Sequence, residues 1–187
     1  WYTLYGVPTT YTNGIGSSIN PQIVKIPSHE IHNLALIEKA TELFDKVLVS
    51  TGAAKWSEVK KVSNIKNKNK IVLMHCVSAY PCNLENINFP RLEKLKSLTK
   101  EIGYSGHYSG VDDALAAMTL GATYIEKHFT TNNELPGRDN KFAILPSSFN
   151  LISKFRDSLL KMNLDKGLDL QDCEKDIFNN YRGRWSK

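Results

Sequence analysis

The chain has 187 residues, 41% of them hydrophobic and 23% charged, which supports one sizeable core and no more. No run approaches the roughly 18 apolar residues of a helical membrane span. Its three cysteines form no CxxC pair, which excludes a disulfide framework and points to a reducing, cytoplasmic setting.

The net charge is +5. Much of the excess sits in "KKVSNIKNKNK" (60–70) and in the closing "YRGRWSK" (181–187). No aromatic residues interleave with the first of these lysine runs as base-stacking platforms would. It reads as a solvated surface, with no nucleic acid partner and no membrane, and a basic surface favours an anionic small substrate.

Six short apolar runs alternate with helical patterns. The expected strands are "VPTTYT" (7–12), "QIVKIP" (22–27), "KVLVST" (46–51), "KIVLMHCVS" (70–78), "IGYSGHY" (102–108) and "TYIEKHF" (123–129). Several are too apolar to have one wet face, so they predict a parallel sheet covered on both sides. Between them, residues 33–44 carry an apolar stripe with Asn33 as N-cap. A shorter helix follows Lys55, with Ser57 or Thr51 near its start. Leu92, Leu95 and Leu98 mark a helix within 89–102. Asp112 and Asp113 favour the start of the next helix and Gly121 its end. A last amphipathic helix begins near Pro146. The βα units predict an α/β fold, either doubly wound or a (β/α)8 TIM barrel, and the absence of a GxGxxG or P-loop pattern disfavours a nucleotide-binding sheet. Residues 1–165 form the expected barrel domain and 166–187 a C-terminal tail.

Polar residues gather at the C-terminal ends of the strands, where barrel enzymes keep their active sites. By strand parity, Ser105 shares a face with His107, and Glu126 with His128. Two imidazoles at neighbouring strand ends make a usable divalent-metal pair, while hydrogen-bonded structural histidines remain the alternative. Ser78 and Tyr80 share a face and suit hydrogen bonding to a substrate. The opposite parity makes His75 a core histidine. Lys25 ends a buried strand and needs a carboxylate, with Glu30 the candidate, or a bound anion. Cys76 reads as core, and His29 and His32 as surface.

"KIPSHEIHNLALI", "VLVSTG", "LMHCVSAYP", "IGYSGHYSG" and "ATYIEKHFT" followed by "LPGRD" resemble, in order and spacing, the sialic acid synthase family of phosphoenolpyruvate-dependent nonulosonic acid synthases. The resemblance runs from about residue 24 to 145. It implies a (β/α)8 barrel whose first two βα units are absent from this chain. It implies condensation of phosphoenolpyruvate with an N-acetylated amino sugar such as N-acetylmannosamine to a nine-carbon 2-keto acid, with release of phosphate. It assigns a divalent metal, manganese, to His107 and His128. Lys25, Ser28, Ser50 and Ser105 fall on positions near phosphoenolpyruvate, and Ser78, Tyr80 and Asp139 on positions facing the sugar. Lys25, His107 and His128 are thereby the expected catalytic residues, in a homodimer.

Three departures from the family pattern stand out: Ser78 in place of an asparagine, Gly106 in place of an acid, and His29 in place of a glycine. They bear on the choice of sugar and on activity itself, so a non-catalytic sugar-phosphate-binding remnant of the barrel is the alternative reading. No counterpart of the family's C-terminal antifreeze-like domain, which sends an arginine into a partner's site, is expected among these residues. Arg182 or Arg184 is the candidate substitute, against an exposed basic terminus. With six strands expected, the 187 residues are expected not to form a complete catalytic unit.

Overall fold

The computed structural model describes residues 22–185. The expected strand at 7–12 lies outside them. The described chain divides into two units, at Arg156 and Asp157.

Among the described residues the first unit is built on five parallel strands, β1 (Ile23–Ile26), β2 (Lys46–Ser50), β3 (Ile71–Cys76), β4 (Ile102–Gly106) and β5 (Tyr124–Lys127). They pair in chain order, each with the next. Helices α1 (Leu34–Leu43), α2 (Trp56–Val62), α3 (Phe89–Leu95) and α4 (Asp112–Thr119) make the crossovers. Beyond β5, Phe129 bridges to Ile144 in parallel, extending the sheet by a contact that the apolar runs did not reveal.

Both faces of the sheet are apolar, for different purposes. Val47, Val49, Ile71, Leu73, Ile102 and Tyr104 face one way and join Ile37, Val59, Val62, Leu92, Leu95 and Ala117 of the helices in the main core. The alternate residues Leu48, Val72 and Met74, with Ile23 and Tyr124, form a separate cluster on the other face. One pleat further along that second face stand Lys25, Ser50, Cys76, Ser105 and Glu126, so it changes from apolar to polar toward the strand C-termini.

The sheet is curled about this second face. β1 and β5 are four strand spacings apart, about 19 Å in a flat sheet. Yet Lys25 Nζ of β1 and Glu126 Oε2 of β5 are 2.6 Å apart. The architecture is an α/β half-barrel with a concave polar face.

Local chemistry sets the helix ends. Asn33 caps α1 through its side-chain oxygen, which accepts from Leu36 N–H at 3.2 Å. The start of α2 uses neither Ser57 nor Thr51: Glu58 reaches back to Lys55 N–H at 2.8 Å, while the Thr51 hydroxyl donates to the Met74 carbonyl at 3.0 Å. α3 stops at Leu95, well short of 102, where Ser97 and Thr99 turn their hydroxyls onto backbone carbonyls of Lys94 and Glu101. Gly121, at φ +90°, follows α4 as expected. Lys46 and Glu101 pair beside the N-terminal ends of β2 and β4.

Helix α5 (Pro146–Met162) is amphipathic as expected and runs past the division between the units. The second unit, residues 157–187, adds a short helix that the sequence did not announce, α6 (Lys175–Asn180). Within it Arg182 lies over the Phe178 ring at 4.6 Å and Arg184 over the Tyr181 ring at 5.5 Å. Among the described residues no helix is long and apolar enough to cross a membrane.

Candidate active site

Three groups of side chains stand at the C-terminal ends of the strands. The first is aromatic. His107 and His128, each one residue beyond the neighbouring strands β4 and β5, bring their ring centroids to 5.3 Å. Tyr80 lies over His107 at 4.1 Å and meets His128 edge-on at 5.9 Å. Phe142 closes against His128 at 5.1 Å, and Asp139 Oδ2 lies 3.6 Å from His128 Nδ1. The matched parity of the strands and the loop after β5 thus bring together His107, His128, Tyr80 and Asp139.

The electrostatics of the two imidazoles are alike. Burial pushes both below the ordinary histidine value, against the opposing pull of the Val77 carbonyl on His107 and of the Asp139 carboxylate on His128. Both are therefore neutral at neutral pH. His107 Nδ1 sits 2.8 Å from the Val77 carbonyl, an acceptor only, so Nδ1 carries the proton and Nε2 keeps its lone pair. That is the donor state a divalent cation takes, with the far ring nitrogen oriented by a carbonyl or carboxylate. Among the described residues no three His, Cys, Asp or Glu side chains converge as metal ligands, so a cation at this site would have the two imidazoles as its protein ligands and its remaining positions open.

The second group is the ion pair Lys25–Glu126. The Lys25 side chain is 8% exposed and that of Glu126 29%. Glu126, and not Glu30, is the partner of Lys25. Glu30 instead accepts from the Asn33 amide at 3.1 Å, beside the helix start. The curl explains the difference: Glu126 is far from Lys25 in sequence and across the sheet, but shares its concave face. Glu126 Oε2 is buried and makes no hydrogen bond, so the pair is close but not aligned. The parity that placed His128 also placed Glu126, and this was the signal for it.

The third group surrounds Gly52. Its N–H donates to Ser28 Oγ at 3.1 Å, and Ser28 donates to Cys76 Sγ at 3.6 Å. A Cβ on Gly52 would stand 2.3 Å from Ser78 Oγ, 2.7 Å from Ser28 Oγ and 2.9 Å from Cys76 Sγ. Ser28 and Ser78 are therefore neighbours across a glycine that only the folded loop makes necessary. Arg91 of α3 holds that loop by donating to the Thr51 and Ala54 carbonyls at 2.5 and 3.2 Å. Ser78 also partners the Tyr80 hydroxyl, whose proton is held more tightly than usual, chiefly by burial. This joins the third group to the first.

Ser50 and Ser105 lie on the concave face, buried, and Ser50 Oγ has no hydrogen-bond partner. His75 is a core histidine: it is fully buried, with Nε2 2.6 Å from the Ile87 carbonyl. Cys76 is buried, and His29 and His32 are exposed.

A model of the NeuB family matches residues 13–163. N,N'-diacetyllegionaminic acid synthase of Campylobacter jejuni is 37% identical over 137 residues, covering 70% of this chain and 41% of that protein. Pseudaminic acid synthase of Helicobacter pylori is 34% identical over 150 residues, covering 78% and 44%. The crystal structure of an N-acetylneuraminic acid synthetase from Leptospira borgpetersenii matches with a TM-score of 0.75 at 33% identity, over 89% of this chain and 59% of that one. The chain spans less than half the length of these curated relatives. With a family match over most of its residues and with relatives sharing a third of their positions, the chain belongs to the NeuB family.

Proposed function

We propose that this chain is part of a (β/α)8-barrel synthase that condenses phosphoenolpyruvate with an N-acetylated amino sugar, giving a nine-carbon 2-keto acid and inorganic phosphate. The observation that carries this reading is the single concave face that holds His107, His128, Tyr80 and Asp139 beside the Lys25–Glu126 pair. The family's synthases of three different nonulosonic acids support the reaction class and leave the sugar open.

Lys25, Ser28, Ser50 and Ser105 take phosphoenolpyruvate. The Lys25 charge and the unpaired Ser50 hydroxyl suit an anion's oxygens. Ser78, Tyr80 and Asp139 face the sugar, where the exposed Tyr80 ring offers an apolar face and its hydroxyl a polar edge. His107 and His128 hold a divalent cation, manganese, which when bound supplies Lewis-acid polarisation of the sugar's aldehyde oxygen. Val77 fixes the His107 tautomer for that task. Glu126 balances Lys25 before the anion arrives and offers a carboxylate oxygen to a substrate hydroxyl or water.

The test is release of inorganic phosphate by the purified protein with manganese, phosphoenolpyruvate and each of a panel of N-acetylated hexosamines, with products weighed by mass spectrometry. Release that requires both substrates, with a product mass equal to their condensation, is expected. Release from phosphoenolpyruvate alone, or tight binding of both without turnover, overturns it.

A further inference from the structure

Lys127 stands between Glu126 and His128 in sequence, but on the opposite, helix-facing side of the sheet. Its side chain is 4% exposed and that of its partner Asp113, in the first turn of α4, is 0% exposed. Lys127 Nζ donates to Asp113 Oδ2 at 2.8 Å, to Oδ1 at 3.0 Å and to the Tyr108 carbonyl at 2.5 Å. The Asp113 carboxylate also accepts from the Tyr104 hydroxyl at 3.0 Å and from Ala114 N–H at 2.8 Å. The network is closed and touches none of the residues assigned to substrates.

Its placement is specific. Tyr108 follows His107, and Lys127 precedes His128. One ammonium therefore ties the residue after the first imidazole to the residue before the second. Gly106 belongs to the same device. A Cβ there would lie 2.4 Å from Asp113 Oδ2 and 2.5 Å from Tyr104 Cε1, and both atoms are held by the network. The glycine makes room for a carboxylate that arrives from the helix. Buried ion pairs can be replaced by apolar groups with little loss of stability, so stability alone does not account for this one.

We propose that Lys127 and Asp113 are positioning residues: their ion pair, closed on Tyr108, sets the separation of the His107 and His128 imidazoles and with it the affinity for a divalent cation. The inference about affinity rests on the reading of those histidines as cation ligands.

The experiment replaces the whole network by apolar groups of similar size, in Tyr104→Phe/Asp113→Leu/Lys127→Met, beside the single change Asp113→Asn. Thermal melting, manganese affinity by calorimetry and the metal-free imidazole 15N–1H resonances are recorded for each protein. A cooperatively melting variant with about 10- to 100-fold weaker manganese binding, and with shifted His107 and His128 resonances against an unmoved exposed His32, is the expected result. Unchanged affinity and unchanged resonances in a folded variant overturn the proposal. If the triple variant does not fold, Asp113→Asn is judged by the same two readouts. If the unsubstituted protein itself binds no manganese, the cation reading fails, and the resonances alone decide whether the pair positions the imidazoles.

Discussion

Lys25 and Glu126 come from strands at opposite ends of the five-stranded sheet, yet their charged atoms lie 2.6 Å apart. Removing one partner leaves the other charge in a poorly solvated face. Lys25→Ala is expected to cost about 1–3 kcal/mol, less than for a wholly buried pair because Glu126 keeps some solvent. Lys25→Met/Glu126→Gln should recover most of it. Urea denaturation of the three proteins measures this. Lys25→Ala should also weaken phosphoenolpyruvate binding while sparing the sugar, and a defect confined to the sugar would reverse the assignment.

For His107 and His128 the pH dependence follows from their environment. A proton and a metal compete for the same lone pair. Burial holds both imidazoles below the ordinary value of about 6.5. Manganese affinity should therefore hold as pH falls to about 6.5, and be lost only at more acid pH, later than for exposed histidines. His107→Ala and His128→Ala should each abolish binding in a folded protein. Retained binding by either variant, in a titration followed by electron paramagnetic resonance, would refute the paired site.

Gly52→Ala separates stability from binding. The new methyl group would meet Ser78 Oγ, Ser28 Oγ and Cys76 Sγ, all side-chain ends that can turn aside. A loss of about 1 kcal/mol in stability is expected, at the low end for overpacking, with a much larger loss in phosphoenolpyruvate binding if the displaced Ser28 hydroxyl binds it as proposed. A melting temperature and a phosphoenolpyruvate titration together check this. Normal affinity in the variant would show that the Ser28 hydroxyl does not bind phosphoenolpyruvate.

His75 makes the fold sensitive to acid. Burial pushes its pKa down, so as pH falls through about 6.5 the unfolded chain takes up a proton that the folded chain refuses. Stability is fully present above about pH 6.5 and falls below it by up to about 1.4 kcal/mol per pH unit, levelling once the folded value is passed. His107 and His128 act in the same direction. His75→Gln keeps an N–H donor toward Ile87 and removes this titration, so its urea midpoint should fall less steeply between pH 7 and 5. Equal slopes in the two proteins would clear His75 of the role.

Much of this protein was determined by its sequence alone, because the signals are local. Apolar runs too continuous for a wet face gave parallel strands, Asn33 capped its helix, and strand parity put Ser105 with His107, Glu126 with His128, and His75 in the core. What only the tertiary structure decided depends on distances that alternation does not encode. The curl of the sheet chose Glu126 over Glu30 for Lys25. The packing of α4 on β4 and β5 turned Asp113 from a helix-start acid into the buried partner of Lys127, and made Gly106 a spatial requirement. The loop after β2, held by Arg91, brought Ser28 and Ser78 to either side of Gly52. A strand's period says which face a side chain takes, and only closure of the sheet says what it meets there.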